Sequence, residues 1–98
     1  MKIRGKEYNC KITLGATFVF EGLAEKAFEI NNTFDLFIYF YSVLYASNGY
    51  SLNFDIKEFQ QILDEDPMLL VEFKEILSKY AQMNKLLSLD GNDDKKKE

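Results

Sequence analysis

The stretch Phe34-Asp35-Leu36-Phe37-Ile38-Tyr39-Phe40-Tyr41-Ser42-Val43-Leu44-Tyr45-Ala46-Ser47 is apolar at almost every position and contains neither Gly nor Pro. Asn31-Asn32-Thr33 ahead of it offers good capping residues, so it reads as one helix over 34–47. On a helical wheel Phe34, Phe37, Ile38, Tyr41 and Tyr45 form one stripe and Leu36, Tyr39, Phe40 and Val43 the opposite one, with Asp35 and Ser42 on a narrow polar edge. A helix apolar on both sides has two solutions. Either it lies at the centre of a small domain, covered all round, or one stripe is completed by another chain. The candidate partner-binding residues are Phe37, Tyr41 and Tyr45 on one side and Tyr39 and Phe40 on the other.

Upstream, polar and apolar residues alternate from Glu7 to Leu14, with Tyr8, Cys10, Ile12 and Leu14 sharing a face, the pattern of a half-buried strand. Gly5-Lys6 suits a two-residue turn that pairs Arg4 with Glu7 and Ile3 with Tyr8, giving a hairpin over residues 2–14. An isolated two-stranded ribbon is marginal in water, so this hairpin needs helices to lie on. Thr13 is placed to cap a short helix over about 15–23, where Phe18, Val19, Phe20 and Leu23 recur at helical intervals. Residues 24–32 read as a linker that tucks in Phe28 and Ile30.

Downstream, Asn48-Gly49 stops the aromatic helix, and Asp55 with Glu58 has capping-box spacing for a helix over about 55–64 whose face is Ile56, Phe59, Ile62 and Leu63. Asp66-Pro67 opens a longer helix over about 67–87 with an apolar stripe from Leu69 through Phe73 and Leu77 to Leu87. Residues 89–98 carry only Leu89, Gly, Asn and charge and are expected to be a disordered tail. The expected fold is α+β, mostly α: one globular domain over 1–88 in which the N-terminal hairpin packs on a bundle of about four helices.

Composition narrows the chemistry. The 98 residues include no His, which removes the commonest general base and metal ligand. The lone Cys10 has no base to activate it and reads as a small buried residue. Asp64-Glu65-Asp66 sits between two helices and reads as capping charge, and the scattered glycines form no phosphate loop. No enzymatic activity, cofactor or metal is expected. A net charge of -4 disfavours nucleic acid, no segment is long and apolar enough to span a membrane, and no apolar leader follows Met1, so a cytoplasmic location is expected. What remains is surplus aromatic surface, with nine Phe and six Tyr.

The order of these pieces resembles the tail assembly chaperones of long-tailed bacteriophages and prophages over roughly residues 3–80. The residues that carry the resemblance are Ile3-x-Gly5-Lys6-x-Tyr8, Thr13-Leu14-Gly15-Ala16-x-Phe18-x-Phe20-Glu21, Tyr45-Ala46-x-Asn48 and Glu58-Phe59-x-x-x-Leu63-Asp64-x-Asp66-Pro67. The resemblance implies a protein of the host cytoplasm that binds the helical tape measure protein, guards its apolar surface and helps recruit tail tube protein. A homo-oligomer is a further possibility for the uncovered stripe. Lys95-Lys96-Lys97 demands an adenine-rich run of codons, and in such chaperones a run of this kind marks a frameshift to a longer product; the plain alternative is a solvated polar end. A generic cytoplasmic interaction module, an adaptor or inhibitor of a host protein, has the same composition.

Overall fold

The computed structural model describes the backbone of residues 1–88 and the side chains of residues 1–83; the expected tail at 89–98 lies outside them. The fold is mostly helical with a small antiparallel hairpin. Its elements are β1 (Lys2–Ile3), β2 (Lys6–Glu7), α1 (Leu14–Ala24), α2 (Thr33–Ser47), α3 (Ile56–Glu65) and α4 (Met68–Ser88).

The hairpin turns one residue earlier than the spacing predicts. Lys2 pairs with Glu7 and Ile3 with Lys6, and the turn is Arg4-Gly5, both at positive φ (52° and 80°). A two-residue turn of this hand needs two left-handed residues, and its second position favours Gly most. Gly5 therefore takes the second place and Arg4 bears the strained first one. The strand expected through Leu14 also ends early, at Glu7. The Tyr8 N–H still donates to the Met1 carbonyl (2.7 Å), and residues 8–13 keep their in-out alternation, with the backbone of Asn9 and Lys11 bonded to side chains at the end of α2. Asn48 accepts the Asn9 N–H (3.1 Å) and donates to its carbonyl (2.9 Å). Ser47 Oγ accepts the Lys11 N–H (2.8 Å) and donates to the Lys11 carbonyl (3.0 Å). The two side chains thus complete a ladder that no second strand supplies. Leu14, expected on the buried face, begins α1 and is 69% exposed.

The helix starts follow the capping residues. Thr13 accepts the Ala16 N–H, Asn32 accepts the Asp35 N–H (2.8 Å) and Asp55 accepts the Glu58 N–H (2.8 Å). At the start of α4 the Asp66 and Pro67 carbonyls accept the N–H groups of Leu69 and Leu70. Helix α2 ends in a Schellman arrangement: Gly49 takes positive φ, the Tyr50 N–H donates to the Tyr45 carbonyl (2.8 Å), and the two rings meet edge to face at 5.8 Å.

Of the two solutions open to the aromatic helix, the central position is the one adopted along most of its length. Ile38, Tyr39, Phe40, Val43 and Leu44 are buried. Tyr39 meets Phe20 of α1 and Phe73 of α4, and the Phe40 ring stacks on Phe73 at 4.3 Å and lies edge-on to Phe59 of α3 at 5.0 Å. Tyr8 and Phe54 close the C-terminal end of α2. The linker before α2 does tuck in Phe28, whose ring meets Phe20 and Tyr39, although Phe28 and Ile30 keep more than a third of their surface in solvent.

The polar edge expected at Asp35 and Ser42 is instead buried. Ser42 is satisfied within the helix, its hydroxyl donating to the Ile38 carbonyl (2.7 Å). Asp35 Oδ2 takes Lys26 Nζ at 2.7 Å and the Asn31 N–H at 3.0 Å, so the linker wraps over the carboxylate and removes it from solvent.

Candidate functional site

The five expected binding residues separate. Tyr39 and Phe40 belong to the core and present no surface to a partner, a correction that follows from α1 and α4 closing on that side of α2. Phe37, Tyr41 and Tyr45 lie on the more open stripe and are half-buried. Tyr41 is held in place by its hydroxyl, which donates to the Phe54 carbonyl (3.1 Å), and its ring stacks beside Tyr45. Burial pushes the Tyr41 phenol up, with Tyr45 and Asp55 adding to it, and burial does the same at Tyr39.

The open apolar surface lies one to two turns toward the N-terminus of α2. Phe34 is 64% exposed and forms, with Phe37, Leu63 and Leu70, the apolar wall of a groove of about 320 Å³ between α2, α3 and α4. Thr33, Gln60 and Asp64 edge it. The reasons are local. Asn32 caps α2 so that Phe34 falls in its first turn; Phe37 is braced from beneath by stacking on Phe59 at 5.7 Å. Met68, in the first turn of α4, is also 62% exposed. Of the expected site residues only Phe37 lines this groove. The signal for the others was in α3, where adjacent Ile62 and Leu63 widen the apolar arc beyond what one buried face needs: Ile62 goes inward and Leu63 into the groove.

Chemically the groove offers shape and apolar area. Asp64 gives its edge a negative charge, and Glu65 and Asp66 follow directly in sequence. Glu65 and Glu58 are tied to Arg4 at 3.3 and 3.4 Å, an exposed pairing that joins the hairpin to α3. Cys10, away from this groove, is half-buried, and burial pushes its thiol up to about 11, against nucleophilic use near neutral pH. Among the described residues no group of three or more His, Cys, Asp or Glu is placed to hold a metal ion, and no helix is long and apolar enough to cross a membrane. Compared with known proteins, the chain matches no family model, no curated protein and no solved structure.

Proposed function

We propose that the chain is a non-catalytic protein-binding domain whose groove between α2, α3 and α4 receives an apolar helix of another protein. The observation that carries this reading is Phe34, a large ring left in solvent at the mouth of an apolar groove in a domain too small to waste aromatic area. A groove walled by three helices and edged by Asp64 suits a helix with apolar residues at i, i+3 or i+4 and Lys or Arg at its flanks. A small-molecule site of this volume would need converging buried polar groups, and Thr33, Gln60 and Asp64 are all exposed. The phage resemblance gives the helix a source: the tape measure protein, held soluble in the host cytoplasm until tail tube protein assembles on it. Supporting the absence of catalysis are the lack of His and the high pKa of Cys10.

The test is co-expression with a long helical tape measure protein, the client that the resemblance implies. The expected result is a soluble complex with the wild type and loss of client solubility with Phe34→Glu, whose exposed position leaves folding intact. Failure of both proteins to interact, or a complex indifferent to Phe34→Glu, rejects the reading; capture of a host protein through the same groove would favour the adaptor alternative.

A further inference from the structure

Helix α1 leaves a second apolar face in solvent, separate from the groove. It buries Ala16 and Phe20 toward α2. By helical spacing the opposite side carries Leu14, Phe18 and Gly22, with Leu14 69% and Phe18 60% exposed. A Cβ built on Gly22 meets no atom within 4 Å, so this end of the face is an open notch beside a large side chain.

The charges at the two ends of α1 oppose its own dipole. The helix has no acidic residue in its first turn and no basic residue in its last. Lys11 precedes the positive end, fixed there by the two hydrogen bonds of its backbone to Ser47. Glu25 caps the negative end. Both are exposed, and neither is in an ion pair among the described residues. Each is on the wrong end for an isolated helix.

We propose that this face is completed by a second copy of the chain, the two α1 helices lying antiparallel about a two-fold axis at Phe18. Leu14 and Gly22 are equally spaced about Phe18, and so are Lys11 and Glu25. The axis therefore sets the Leu14 side chain of each copy into the Gly22 notch of the other and the two Phe18 rings against each other. Lys11 of one copy meets Glu25 of the other, which brings a cation to each negative helix end and an anion to each positive one. The apolar patch is small, so the dimer falls at the weak end of specific interfaces, below about 1,200 Å² of buried surface, and forms with rising concentration. It leaves the groove between α2, α3 and α4 free.

Sedimentation equilibrium of the full chain over a concentration series reads this directly, with no client present. Wild type is expected to pass from monomer to dimer. Gly22→Gln fills the notch in open space and is expected to raise the dimer Kd by about tenfold or more without unfolding the monomer, checked by circular dichroism. Lys11→Glu and Glu25→Lys each raise Kd roughly three- to tenfold, and the double reversal, which restores the charge pair but not its match to the helix ends, returns Kd part of the way to wild type. A monomer at every concentration, a dimer indifferent to Gly22→Gln, or a double reversal that restores none of the lost association overturns the proposal.

Discussion

Arg4 and Gly5 turn through positive φ with little around them, and a Cβ added to Gly5 would touch nothing within 4 Å. Gly5→Ala therefore changes stability through the backbone alone, and a loss of about 1 kcal/mol is expected in denaturant titration. The same substitution at Gly22, equally free of neighbours but inside a helix, acts in the opposite direction. Gly22→Ala is expected to stabilise the monomer by about 0.5–1 kcal/mol, measured at low protein concentration. The sign thus follows from φ and not from packing. Asp35 is governed by its partners. The Lys26 ammonium, and then the Asn31 N–H, hold its carboxyl below the usual carboxylate range despite opposing burial. A depressed folded-state pKa contributes stability fully present above the unfolded value of about 3.9 and lost as pH falls through the folded value. Lys26→Met is accordingly expected to destabilise the protein at pH 7, with the difference from wild type shrinking below about pH 4 in thermal melts. A difference unchanged down to pH 2 would contradict this account of the ion pair.

At the scale of elements, α2 decides the architecture, because every other element packs on it or on something it touches. Phe40, sandwiched by Phe73 and Phe59 and fully buried, is expected to cost about 3–5 kcal/mol on truncation to Ala, enough to unfold much of so small a domain. Phe34→Ala, six residues earlier on the same helix, is expected to change stability by no more than about 0.5 kcal/mol, since its ring faces solvent. Urea unfolding of the two variants checks the contrast. The helices were legible in the sequence because their caps are: Thr13, Asn32 and Asp55 each accept the N–H that their position implies. The hairpin was less legible. Alternation from Tyr8 to Ile12 is real, but alternation marks an extended chain with one buried face, and it does not say whether a strand or the side chains of Ser47 and Asn48 will satisfy the backbone. The binding stripe was half-legible for a similar reason. A helical wheel finds two apolar faces on α2 but carries no information on which neighbour covers which, so Tyr39 and Phe40 could not be told from Phe37. Asp35 was hidden by its linker: no periodicity in α2 reveals that Lys26 folds back onto it.

At the scale of the whole molecule two apolar surfaces stay open, the outer face of α1 and the groove between α2, α3 and α4. On the proposed reading the α1 face meets a second copy of the chain, and the groove, with Asp64 at its edge, meets a foreign helix. The α1 face and the groove share no residue, so disrupting either is expected to leave the other working. Binding at the groove is read most directly by an NMR titration of the labelled chain with peptides spanning the helical segments of the proposed client. Binding there is expected to concentrate amide shifts at Thr33–Phe37, Gln60–Asp64 and Leu70, and Phe34→Glu to remove them. Shifts confined to Leu14–Gly22 of α1, or no shifts with any segment, would contradict it.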